Sequence, residues 1–233
     1  MPESKNQNFN HLKIHSQFSI CEGAIKIDNL REFSKENKIR AFGLCDTSNL
    51  CGALEFAEKL SKIGTQPIIG TQINFKYADT IGLLPLFALN EEGYKKIIKL
   101  SSLSYLKNDN ISDPHLDFSE LLNTNNGISI FSGTINGLFG QLFNKGKFTE
   151  IDELYSKLKS KYDDRFYIEI QRHGDQNEIG FEKFNLSKSS KLEIPLIATN
   201  EVFYINKNMH EAHDALICIK NKTYINEKNR LIY

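Results

Sequence analysis

The chain has 233 residues, with 29 Lys+Arg set against 29 Asp+Glu, so its formal net charge is zero. That balance argues against this segment alone being a strong nucleic-acid binder, because phosphate binding usually shows as a basic excess, although a local basic face stays open. The length suits one large domain over residues 1–233, an α/β barrel commonly taking about 200 to 250 residues, and no apolar run approaches the roughly 18 residues of a membrane helix.

In chain order, His11 to Ser16 reads as a short alternating strand. Lys26 to Asn37 has helical spacing, with Ile27, Leu30 and Phe33 on one face and Asp28 as a candidate cap. Ala41 to Cys45 is a small apolar strand, and Leu50 to Ile63 an amphipathic helix closed by Gly64 as C-cap. Pro67 to Phe75 and Leu83 to Leu89 read as strands and Glu91 to Leu106 as a helix. Lys107 to Asp117 is polar and turn-rich, hence a loop. Then come a strand at Gly127 to Ser132, a helix at Glu150 to Lys161, a strand at Phe166 to Gln171 and a helix at Gly180 to Lys191. A strand at Pro195 to Thr199 and a helix at His210 to Ile219 close the series. Seven strand candidates separated by helices predict parallel βαβ units, in a closed barrel or a doubly wound open sheet. The glycine fingerprints of nucleotide-binding folds are missing.

Cys21, Cys45, Cys51 and Cys218 form no CxxC pair, so a zinc knuckle or a redox motif is not expected. With the polar N-terminus MPESKNQNFN, the simplest expectation is a cytoplasmic protein with reduced thiols.

In such barrels the chemistry sits at the C-terminal ends of the strands. His11, Lys13 and His15 share one side of the first strand, and a His-x-His pair there would suit a metal, but the middle position is a lysine, which has no lone pair at neutral pH. A polar edge strand with unrelated histidines is the competing reading. Asp46 follows the strand AFGLC and Glu201 follows PLIAT; either is placed for catalysis or metal binding, or simply for capping a helix or starting a turn. His173 ends a strand and is a better candidate than the helical pair His210 and His213, expected to be solvated or capping, or than His115 in the polar loop. Composition and spacing go no further than an α/β barrel with scattered polar strand ends.

The ordered segments FNHLKIHSQFSICEGA, AFGLCDTSNLCGALEFAEKL, PIIGTQI, ALNEEGYKKIIKLSS, ISIFSGTINGLFG, FYIEIQRHG, IPLIATNEVFY and AHDALICI together resemble the PHP (polymerase and histidinol phosphatase) domain of bacterial DNA polymerase III alpha subunits. The resemblance implies a distorted (β/α)7 barrel, TIM-like, whose active members bind metal ions in the mouth and use metal-bound water to hydrolyse phosphoesters. It also implies which residues stand at the ligand positions. His15 matches the second histidine of a His-x-His motif, whereas Lys13 occupies the first. Glu22 stands where a histidine or acid is expected; Asp46 matches the aspartate of an Asp-His pair, while Thr47 replaces the histidine. Gln72 replaces a glutamate, Leu83 a histidine and Thr134 a cysteine or histidine; Glu201 replaces an aspartate and Phe203 the last histidine.

At most four of these positions (His15, Glu22, Asp46 and Glu201) keep a competent donor, so neither a tightly bound metal nor hydrolysis is expected, with His15, Asp46 and Glu201 left as weak candidates. Without ions, Asp46 and Glu201 would repel, and the Lys13 amine is expected within salt-bridge distance of one of them. By the same resemblance the parent protein would be a Mg-dependent DNA polymerase whose catalytic carboxylates lie beyond Tyr233. The segment would then brace the polymerase and contact the proofreading exonuclease subunit, other replicase subunits and, through the full-length protein, DNA, with no membrane role. The alternatives are a stand-alone metal-dependent phosphoesterase and a non-enzymatic interaction module.

Overall fold

Strands in this chain carry apolar residues at every second position, and that parity assigns each strand one face to an outer core and one to the barrel interior. The computed structural model describes residues 9–108, 113–124 and 126–227. β1 is Lys13–Ile14, followed by α1 (Ile27–Glu36), β2 (Ala41–Thr47), α2 (Ala53–Ser61), β3 (Gln66–Tyr77), β4 (Thr80–Ala88) and α3 (Glu91–Leu106). Then come β5 (Leu116–Asp117), α4 (Ser119–Leu122), β6 (Ile128–Phe131), α5 (Leu138–Asn144) and α6 (Phe148–Tyr162). The series ends with β7 (Phe166–Ile170), α7 (Gln176–Leu192), β8 (Leu196–Ala198), β9 (Glu201–Val202) and α8 (His210–Asn221).

The strands pair in the order β8-β7-β6-β4-β3-β2-β1-β9, with β5 added beside β3. The two ends of this path, β8 and β9, are joined by Thr199 and Asn200 alone. The three Cα steps from Ala198 to Glu201 span at most about 11 Å, so the sheet has to curl until its ends meet, which makes it a distorted barrel. It is a mixed sheet, contrary to the parallel reading. β3 and β4 form an antiparallel hairpin, and β4 runs antiparallel to β6 as well. The turn at Ala78 and Asp79 is too short to hold a crossover helix, and a parallel pair needs one.

The outer faces build two cores. Ile14, Leu44 and Phe42 pack with Phe56, Leu60, Ile27 and Leu30 from α1 and α2. Ile73, Phe75, Leu84, Leu86, Ile128, Ile130, Phe166 and Ile168 pack under α3, α5 and α6. The opposite faces plug the barrel with Cys45, Phe87 and Phe131, flanked by Ile68, Tyr167 and Ile197.

Local signals diverge at several points. Asp28 lies in the first turn of α1 instead of capping it; Lys26 is the N-cap, and Asp28 reaches Lys59 at 2.7 Å. Lys62 is the C-cap of α2, with Gly64 two residues beyond it at φ +80°. Within the expected loop Lys107 to Asp117, residues 109–112 lie outside the described residues, and Leu116–Asp117 pairs with β3. The short α4, α5 and β9 escaped the periodicity, being too brief to repeat it. Among the described residues no helix is long and apolar enough to cross a membrane.

Candidate functional site

Lys13 is fully buried, and the cost of burying an ammonium dictates what must surround it. Its Nζ lies 2.9 Å from Glu201 Oε1 and 3.1 Å from Glu169 Oε1. Lys13 and Glu201 are register partners on adjacent parallel strands, so the contact follows from the pairing of β1 with β9. Burial works against the charge on Lys13, but the two carboxylates outweigh it and hold the amine above its ordinary pKa. Glu201 is held well below the usual carboxylate range: burial opposes its charge, and the Lys13 ammonium followed by His15 overcomes that.

Glu169 was not among the residues singled out from the sequence. On β7 its side is shared by Tyr167 and Gln171, opposite the apolar Phe166, Ile168 and Ile170. That period-2 pattern in FYIEIQ is the signal that marks a carboxylate aimed into the barrel. Glu169 is almost wholly buried and accepts from Lys13, from Gln171 Nε2 at 2.8 Å and from the Thr199 hydroxyl.

The same parity separates Asp46 from Lys13. Asp46 alternates with Cys45 and Thr47 and so shares the outer face with Leu44. There it accepts from Ser16 N–H at 2.7 Å, Ser16 Oγ at 2.8 Å and Ser19 Oγ at 2.7 Å. Of the two acids expected near Lys13, Glu201 is in contact and Asp46 is not; the expected confrontation of Asp46 with Glu201 is replaced by one of Glu169 with Glu201 across the amine.

A cavity of about 120 Å³ opens above the ion pair, lined by Lys13, Glu22, Gln72, Leu83, Thr134, Glu201 and Phe203 together with Pro85 and the loop 133–137. Thr47 joins Glu22 to Gln72: its hydroxyl donates to Glu22 Oε2 at 2.6 Å and accepts from Gln72 Nε2 at 3.2 Å. Lys220 of α8 donates to Glu22 Oε1 at 2.5 Å, and the His213 ring Nε2 donates to the Glu22 carbonyl at 2.8 Å. His15 is buried, stacked on Phe203 with centroids 4.6 Å apart, its Nδ1 3.4 Å from Ser19 Oγ and its Nε2 3.7 Å from Glu201. The sequence-named positions thus converge on one mouth, apart from Asp46.

The histidines outside the mouth sort differently. His213 is buried, not solvated, and ties α8 to the loop that carries Glu22. His173 is exposed and held by Glu178, with Nδ1 at 3.0 Å, away from the cavity. The His115 ring lies 2.8 Å from the Asp113 carbonyl and does not line the cavity.

These residues do not fit a metal cluster. Among the described residues no group of three or more His, Cys, Asp or Glu is placed to hold an ion. An ammonium stands between the two carboxylates that would converge on one, Asp46 is held on the outer face by hydroxyl and amide donors, and Glu22 is paired with Lys220. The arrangement neutralises charge; it offers neither an activated nucleophile nor an open coordination position.

The chain is similar to known proteins along nearly its whole length. The chain is 33% identical to the DNA polymerase III subunit alpha of Caulobacter vibrioides over 99% of its own length and 21% of that protein's. It is 38% identical to that of Rickettsia conorii over 94% of its length and 19% of that protein's, so the chain spans about a fifth of these relatives. Among solved structures, a Bifidobacterium adolescentis protein named among the metal-dependent phosphoesterases superposes with a TM-score of 0.55 at 12% identity, covering 84% of this chain and 89% of the other; that likeness concerns the fold. The family model of the PHP domain matches residues 11–173, and the chain belongs to the PHP domain family.

Proposed function

We propose that this chain is the N-terminal PHP domain of a cytoplasmic DNA polymerase III alpha subunit, in which it braces the polymerase and carries no hydrolytic metal site of its own. DNA synthesis, its Mg ions and its contact with template belong to the longer protein; the proofreading exonuclease subunit and other replicase subunits are the partners. Supporting this are the near-complete alignment to replicative relatives and, chiefly, the Lys13 ammonium seated between Glu169 and Glu201. An amine supplies the positive charge that two converging carboxylates need, without supplying a Lewis acid.

The experiment has two arms. Elemental analysis of the purified chain, with an assay on a generic phosphodiester, is expected to give substoichiometric metal and no turnover. Co-purification with the cognate exonuclease subunit is expected to retain that subunit. Stoichiometric zinc, manganese or iron with turnover would overturn the proposal in favour of the second reading, a stand-alone phosphoesterase, which the shared fold keeps in play.

A further inference from the structure

Behind the mouth lies a second cavity of about 20 Å³, lined in part by Thr134, Glu169, Gln171, Phe181 and Asn185; Thr134 also borders the mouth. Two buried polar atoms of its lining residues have no hydrogen-bond partner among the described residues, Glu169 Oε2 and Asn185 Nδ2. The two residues are 2% and 0% exposed, so bulk solvent does not serve them. The other ends of both side chains are engaged. Glu169 Oε1 accepts from Lys13 and Gln171, and Asn185 Oδ1 accepts from the Tyr155 hydroxyl at 3.0 Å.

Glu169 N–H donates to Ser132 Oγ at 2.9 Å, and the Tyr155 hydroxyl donates to Asn185. That leaves an amide donor on one residue and a carboxylate acceptor on the other. Only a group that both accepts and donates joins them; a cation would oppose the amide hydrogens, and an apolar filler would satisfy neither atom. A water requires about 10–15 Å³ of such space and two or more polar partners, and this cavity offers room for one.

We propose that the cavity binds one internal water, which accepts from Asn185 Nδ2 and donates to Glu169 Oε2. The water joins Glu169 to Asn185, which Tyr155 of α6 already holds, and thereby ties the buried ion pair of the mouth to α6 and α7. A high-resolution crystal structure of the 233-residue chain tests this. A single water peak within about 3.2 Å of both atoms is expected. Direct contact between Glu169 and Asn185, an empty cavity, or a peak that gains anomalous signal after a rubidium soak would each overturn it. In solution, 17O magnetic relaxation dispersion is expected to show one long-residence water fewer in Asn185→Leu than in the wild type, and equal counts would also overturn it. Where that variant does not fold, the wild-type crystal result decides alone.

Discussion

Lys13 is a long, flexible side chain held at one point by two acids, and the energetics of such a group are asymmetric. Removing the amine leaves two carboxylates close together in a confined space, so the loss exceeds the worth of the pair itself. Lys13→Met is therefore expected to cost about 3–5 kcal/mol in urea unfolding at neutral pH. Pairing it with Glu201→Gln should recover part of that cost, and a single-variant loss below about 1 kcal/mol would mean the amine is not a buried counterion. The pH dependence follows from the directions of the shifts. Glu201 is held below its ordinary pKa, so its contribution is present above the unfolded value of about 4.3 and is lost as pH falls below it. Lys13 is held above its ordinary pKa, so its contribution is full below about 10.4 and is lost as pH rises beyond that. Glu201→Gln should flatten the acid limb of a stability–pH curve; an unchanged acid limb would assign that limb to other carboxylates.

Strand parity and close backbone approach govern the next scale. The periodicity of α3 was legible over its whole length because sixteen residues repeat the helical pattern often enough to define both ends. Asn90 caps it, its side chain accepting from Gly93 N–H at 2.9 Å. Gly93 sits there because a Cβ would come within 1.7 Å of the Gly127 carbonyl oxygen, the acceptor that also holds Leu89 N–H at 2.8 Å. Gly93→Ala has to push the helix start away from the turn before β6 and should lower stability by about 1–3 kcal/mol, read from chemical denaturation. β9 and the β3–β4 hairpin were not legible. A two-residue strand has no period, and nothing local in KYADT distinguishes a hairpin turn from the start of a crossover.

For the molecule as a whole, β9 pairs directly with β1, and curling the sheet carries β7 round towards them; only then do Glu169 and Glu201 meet at Lys13. On the function proposed above, the internal cation in that position takes the place of an external one. Thermal unfolding of the chain is expected to be the same in chelator and in added zinc or manganese, since only a ion that binds the folded state raises the midpoint. A metal-dependent rise would place an ion site where the geometry offers none.

The sequence by itself determined the order and most boundaries of the longer elements and the family, because periodicity and ordered motifs are written along the chain. Which acid answers the lysine was decided by tertiary structure alone. Asp46 and Glu201 read alike as strand-end carboxylates, yet pleating turns Asp46 to the serines outside and strand pairing sets Glu201 beside the amine. Glu169 stands 156 residues from Lys13 along the chain, and a contact at that separation exists only once the barrel has curled.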